Sequence, residues 1–332
     1  MPNKAGLTTH SLADRLKKRS QLVQTLRAFF YARSVTEVDT PILSAAGVPD
    51  VHLHALSTEV RLPGEAQRQR FYLHTSPEYP MKRLLCAGSG DIFYLGKVFR
   101  DGDLSPRHQI EFTMLEWYRI GFSMFDLMEE VAGLLKTVLG DLAVESISYQ
   151  DAFRRYAGVE DIFTASAETC RAVLKAHQVA DVVGVDADDK ALWEQLVLTE
   201  VIEPNLGLVE GKMGITLLYH YPARDAALAQ LCEDDPQVAE RFEVFVNGME
   251  LANGYHELAD ADTYRQRFEA SLAQRAELGL PSVPLDENLL QALEARPLPD
   301  CSGVALGVDR LFALQQALNN IQQGMAFGIQ QA

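Results

Sequence analysis

The sequence predicts an α+β fold, an antiparallel β-sheet flanked by helices. Three observations carry that expectation. Strand-like runs come in neighbouring pairs joined by polar or Gly-containing loops: DIFYLGKVFRD with IEFTMLEWYRI, and the two halves of RFEVFVNGMELANGYHEL. Runs with helical periodicity lie outside these pairs, at residues 12–32, 125–139 and 263–278. The strict strand–helix–strand alternation of a doubly wound parallel sheet is missing.

Taken in order, Leu12, Leu16, Val23, Leu26, Phe29 and Phe30 form the apolar face of a first helix, with Lys and Arg between them. Val35, Val38, Thr40 and Ile42 suit a strand, and Pro41 suits its edge or end. RFYLHTSP reads as a strand and PEYPMKRLLCAG as the helix behind it, with Ser76 at the N-cap and Pro77 at the first helical position. Residues 140–237 are weakly patterned. They hold an acidic stretch, DADDKALWEQL, and one clear strand, ITLLYHYP, and are expected to be a mostly helical insertion. GLPSVPLDENL is a loop entering a short helix, and GVALGVDRLFALQQAL closes the chain as strand then helix.

Bulk properties narrow the function classes. With 332 residues, 47% of them hydrophobic, the chain can bury a substantial core. A net charge of −16 argues against a dedicated nucleic-acid binder, because such proteins neutralise phosphates with Lys and Arg. Cys86, Cys170, Cys232 and Cys301 form no metal-ligand spacing and read as inert thiols in a reducing compartment. No apolar run approaches the ~20 residues of a membrane span. The start, MPNKAGLTTHSLADRLKKRS, lacks a secretory apolar region, so residues 1–13 are expected to be a loose tail on a cytoplasmic protein.

Four stretches can carry chemistry. In FRDGDLSPRHQIEF, Arg100, Arg107 and His108 flank a Gly-containing loop, and permanently charged guanidinium groups suit phosphate and carboxylate oxygens. In MELANGYHEL, Glu250 and Glu257 are seven apart and would face opposite ways on a straight strand; an irregularity at Asn253-Gly254 would aim both at one Mg²⁺. In TSPEYPMKRLL, Ser76 caps a helix and Glu78 beside it suits a cationic ligand. In GVALGVDRLF, small residues at alternate positions bare one strand face, and Arg310 falls in the first turn of the following helix, where anions are favoured. Each has a plain structural alternative: a solvated hairpin, surface glutamates, a simple cap, or close packing with an Asp-Arg pair.

Their order is more specific than any one of them. A strand ending at Pro41, a strand-loop-strand with Arg100 and Phe112, and a small-residue strand running into a helix with Arg310 resemble the three motifs of class II aminoacyl-tRNA synthetases. The resemblance runs from Asp14 to the end and implies a single catalytic domain over residues 14–332. TSPEYPMKRLL, RHQIEFTMLEWY and ELANGYHEL resemble the lysyl-tRNA synthetase core. Aspartate and asparagine enzymes typically have Gln at the place of Glu78. Only about a dozen residues precede the first helix, too few for the anticodon-binding OB-fold of a lysyl-tRNA synthetase. The whole chain is similar to the family that lysylates elongation factor P.

That resemblance implies an ATP-dependent ligase with Mg²⁺. It would activate (R)-β-lysine, or α-lysine less well, as the adenylate and pass it to a lysine side chain of elongation factor P. By the same resemblance Arg100 and Arg310 are catalytic. Ser76, Pro77, Glu78, Glu116, Tyr118, Asn253, Glu257 and Ala305 hold the amino acid. Arg100, Asp101, Gly102, His108, Gln109, Phe112, Glu250, Leu251, Gly307 and Arg310 hold ATP, with Phe112 stacking on adenine and Glu250 and Glu257 on the metal. Two letters depart from the class pattern: Asp101-Gly102-Asp103 displaces and shortens the acid usual after the arginine, and Gln109 replaces Asn. Lysyl-tRNA synthetases typically have Gly at the place of Ala305. A homodimer without stable tRNA binding is implied; a regulatory paralogue and a truncated tRNA-charging enzyme are the rival readings.

Overall fold

The computed structural model describes residues 11–180, 182 and 184–332; the first ten residues of the expected tail lie outside them. Helix α1 (Leu12–Tyr31) starts at Ser11, whose hydroxyl accepts from Asp14 N at 3.2 Å. Its packed face is Leu22, Leu26, Phe29 and Phe30; Leu12 and Leu16 stay exposed. The strand expected around Pro41 is two short pieces. β1 (Thr36–Glu37) joins the main sheet, and β2 (Leu43–Ser44) pairs with β4 (Gln69–Leu73), which also pairs with β3 (Ser57–Val60). Pro41, with no N–H to donate, lies in the break.

Helix α2 (Glu78–Cys86) leads to the hairpin β5 (Ile92–Phe99) and β6 (Glu111–Ile120). Helix α3 (Met124–Leu139) follows, opened by a reciprocal Ser123–Asp126 capping box. Between residues 140 and 237 helical pieces predominate: α4 (Tyr149–Ala152), α5 (Ala167–Ala176), α6 (Lys190–Val197) and wider π turns after α4 and α6. The segment also carries β7 (Val144–Ser148), the short hairpin β8 (Leu208–Val209) and β9 (Lys212–Met213), and β10 (Ile215–Tyr219). β7 and β10 enter the main sheet, so the segment is joined to the core on one edge. The chain ends with β11 (Arg241–Val246), β12 (Met249–His256), α7 (Ala261–Glu277), α8 (Glu287–Ala295), β13 (Cys301–Gly307) and α9 (Val308–Gln315).

Among the described residues the main sheet has eight strands in the order β1-β5-β6-β13-β12-β11-β10-β7. Six central strands are antiparallel, and each edge strand, β1 and β7, is added parallel. Strand alternation splits the two faces. Leu115, Trp117, Val304 and Leu306 pack under α1, α3 and α9. On the other face Met114, Tyr118 and Cys301 meet α2, α7 and α8, while Leu218 and Phe245 meet the helices of residues 149–202. The strip of sheet between those two clusters is left for a ligand.

Candidate active site

A cavity of about 380 Å³ opens on that strip. Its walls include Ser76, Glu78, Arg100, His108, Gln109, Phe112, Glu116, Tyr118, Glu250, Leu251, Asn253, Glu257, Ala305, Gly307 and Arg310. Three expected residues are not on its wall. Pro77 is the N-cap itself, since the helix begins one residue later than expected, at Glu78. Ser76 still serves the helix end, its hydroxyl accepting from Glu78 N at 2.9 Å. Asp101 is exposed, its N–H donating to His54 O at 2.7 Å, and Gly102 is a turn residue with φ of +81°. The turn brings Asp103 to the wall in their place.

The sheet register builds one end of the cavity. Glu116 on β6, Ala305 on β13 and Asn253 on β12 are direct cross-strand neighbours in one row. The next row on the same face is Tyr118, Gly303 and Tyr255. Glu116 is 2% exposed. The Tyr118 hydroxyl donates to its Oε1 at 2.8 Å, while Oε2 has no protein partner. Burial and the neighbouring Glu78 carboxylate push Glu116 up to about 8. Asn253 Oδ1 is likewise buried without a partner. Two unfilled acceptors facing one space call for a donor, and a carboxylate among them calls for a cation. Gly303 has to be glycine, because a Cβ there would stand 2.4 Å from the Tyr118 ring and 2.5 Å from Glu257 Oε1. Gly307 differs: a Cβ there meets nothing nearer than Arg310 at 3.7 Å, so packing leaves that position free.

The other end is lined with donors. Arg100 is half-buried, its buried Nε has no partner, and its guanidinium lies 5.2 Å from the Phe112 ring centroid. Gln109 is buried with Nε2 unpartnered. Arg310 is engaged by the protein itself. It donates to Glu250 O at 2.7 Å, to Glu250 Oε2 at 3.2 Å, to Arg107 O at 3.2 Å and to His108 Nε2 at 2.6 Å. Since guanidinium only donates, His108 Nε2 accepts, and the ring proton sits on Nδ1 facing Ser105 Oγ at 2.8 Å. Burial and the Arg310 charge both lower the His108 pKa and keep it neutral.

The two glutamates of MELANGYHEL do both reach the cavity, for a different reason than expected. Asn253 and Gly254 sit in regular register, and the register shift falls between Val244 and Phe245, where β12 carries Leu251 as the extra residue. Glu250 then stands at the donor end with Arg310, and Glu257 at the acceptor end, its Oε2 2.7 Å from Lys82 Nζ. Among the described residues no group of three or more His, Cys, Asp or Glu side chains is placed to hold a metal ion. Glu250, a half-exposed carboxylate, fits a Mg²⁺ that arrives with phosphate oxygens; Glu257, ion-paired with a buried ammonium, does not.

Sequence reasoning missed several groups. Lys82 is fully buried, 2.6 Å from Glu78 Oε1 as well as 2.7 Å from Glu257. Its spacing to Glu78, i to i+4, was visible as an ordinary helix pair. Arg241 lines the cavity under Tyr255, paired with Glu243 at 2.6 Å and donating to Asp225 O at 2.6 Å. Asp309, the acid of the Asp-Arg pair, is structural: it meets Arg19 of α1 at 2.8 Å and accepts from Thr113 N at 2.6 Å.

Residues 4–331 match the family described as tRNA synthetases class II (D, K and N). The chain is 45% identical to a Proteus mirabilis protein named elongation factor P–(R)-β-lysine ligase, over 97% of each. It is 44% identical to a protein of the same name from Pasteurella multocida, over 96% of each. The chain belongs to the class II tRNA synthetase family and, within it, to the family of the elongation factor P–(R)-β-lysine ligases.

Proposed function

We propose that this chain activates (R)-β-lysine, and α-lysine less well, with ATP, and transfers the lysyl group to the ε-amine of a lysine of elongation factor P. The observation that carries the reading is the polarity of the cavity: unfilled buried acceptors on Glu116 and Asn253 at one end, and Arg100 with a buried, unpartnered Nε at the other. A diamino acid laid along it puts ammonium at the first end and carboxylate at the second. The full-length similarity to the two named ligases supports the acceptor.

The amino acid carboxylate attacks the α-phosphate of ATP, forming the acyl-adenylate and releasing pyrophosphate. Arg100 neutralises both reacting anions and holds them in line. Phe112, already a face for Arg100, is the surface for adenine, and Asp103 and Gln109 are the polar groups beside it. Arg310 takes the far phosphates, exchanging its contacts with His108 and the Arg107 carbonyl for phosphate oxygens. Glu250 would hold a Mg²⁺ arriving with ATP, and the ion would supply charge neutralisation there. The acceptor ε-amine, deprotonated, then attacks the activated carbonyl; the amide C–N bond forms, the C–O bond of the mixed anhydride breaks, and AMP leaves with its electron pair while the new amide nitrogen loses a proton.

Two copies are proposed to pair at the Pro41 end. An apolar cavity of about 450 Å³ bounded by Pro41, Leu43 and Tyr79 lies there, with Ile42 and Leu43 exposed, and sedimentation would report the mass. No helix of the described residues is long and apolar enough to cross a membrane. The deciding experiment is mass spectrometry of elongation factor P after incubation with this protein, ATP and each lysine isomer. A mass increase of one lysyl group, larger with (R)-β-lysine, is expected. Stable label on tRNA alone, or no ATP–pyrophosphate exchange with either isomer, would overturn the reading.

A further inference from the structure

Three carboxylates crowd the acceptor end, Glu78, Glu116 and Glu257. Between two of them, Glu78 and Glu257, lies the Lys82 ammonium. Arg241, a cation on that wall, is matched by Glu243 at 2.6 Å instead. Lys82 is 0% exposed and reaches both Glu78, at 2.6 Å, and Glu257, at 2.7 Å, with its Nζ also 5.3 Å from the Tyr264 ring centroid. It is not on the cavity wall; the two glutamates stand between it and the ligand space.

Burial alone would lower the Lys82 ammonium, but Glu257 and Glu78 more than reverse this and hold it charged, well above the usual lysine range. A helix-surface reading of the Glu78–Lys82 pair therefore misses its function. Once a ligand ammonium has displaced the proton that Glu116, held up to about 8, keeps in the empty cavity, three negative charges against one fixed positive charge leave two to be met. A substrate carrying two ammonium groups meets them; a single ammonium leaves one buried carboxylate uncompensated.

We propose that Lys82 is a positioning and specificity residue, an internal ammonium that fixes Glu78 and Glu257 and sets the net charge of the amine end to suit a diamino acid. This rests on the substrate reading above. It places recognition of the substrate's distal ammonium on Glu116 and Tyr118. It also makes Lys82, which touches no substrate atom, the reason Glu78 and Glu257 hold their places when the cavity is empty.

The test is chemical rescue. Lys82→Ala is expected to raise KM for lysine in ATP–pyrophosphate exchange on the order of 100-fold, with KM for ATP unchanged, because a buried pair has lost one partner. Adding n-propylammonium, which restores the three carbons and the charge that alanine lacks, is expected to bring the lysine KM back; n-propanol, which fills the same space without charge, is not. Rescue by both equally, or by neither, would overturn the proposal and leave Lys82 as packing. Should the alanine variant not fold, Lys82→Met keeps the volume: a folded Lys82→Met enzyme with wild-type lysine KM would equally overturn it. Wild-type protein run alongside separates the two levels, since a wild type that exchanges with no lysine isomer refutes the substrate reading rather than the role of Lys82.

Discussion

The two ends of the cavity are built on opposite plans. At the amine end the partners are fixed: Glu116 is held by Tyr118 on β6, and Glu78 and Glu257, at the start of α2 and just past β12, by Lys82. At the phosphate end Arg310 is satisfied by Glu250, His108 and the Arg107 carbonyl, groups on a loop and beside a bulge. The first end is complete but for the ligand's own charge. The second must trade existing hydrogen bonds for new ones. Selectivity therefore lives in the rigid half, where a misfit cannot be relaxed, and turnover depends on the half that rearranges.

The comparison can be broken in four places. Arg100→Ala should have the largest effect, lowering kcat for exchange by roughly 10²–10³, as for loss of a preorganised donor to a developing charge. Glu116→Gln should raise lysine KM by on the order of 100-fold with ATP KM unchanged. It should also remove a pH dependence. In the wild type Glu116 is held up to about 8, so below that pH it is largely protonated, and an ammonium must displace the proton to bind. Lysine affinity should rise with pH towards about 8 and level above it; a flat profile would show that Glu116 is not the acceptor. Ala305→Gly, between Glu116 and Asn253, should change the (R)-β- to α-lysine preference by roughly tenfold, the worth of one methyl on a pocket floor. Ser105→Ala, which frees His108 Nδ1, should be smallest, a shift of about fivefold in ATP KM with lysine KM untouched.

The rigid half was the legible half. Strand alternation alone puts Glu116 with Tyr118, and the small-residue pattern of β13 marks the bare face on which Ala305 lies. What stayed hidden depends on pairing across the chain. Lys82 looks like a helix-surface partner of Glu78 until β12 delivers Glu257 to its other side. Glu250 and Glu257 reach one cavity through a register shift at Leu251, two residues before the Asn-Gly letters that suggest a break, and it is Lys82 that then takes Glu257. β7 was lost in a weakly patterned stretch because an edge strand of five residues, half of it exposed, carries little periodicity. The turn that exchanges Asp101 for Asp103 hangs on the positive φ of Gly102, which the sequence permits without dictating.

The pairing of β6 with β13 joins segments as far apart as Thr113 and Asp309, 196 residues along the chain. Closing so long a loop is entropically costly before any contact repays it, and such pairings form late. During synthesis β5 and β6 can make their hairpin early, but the floor between them and β12 waits for β13, residues Cys301–Gly307, to leave the ribosome. A chain stalled before Cys301 exposes two unpaired strand edges and a row of buried-type carboxylates. The enzyme thus closes its site and covers its exposed strand edges in one and the same pairing step.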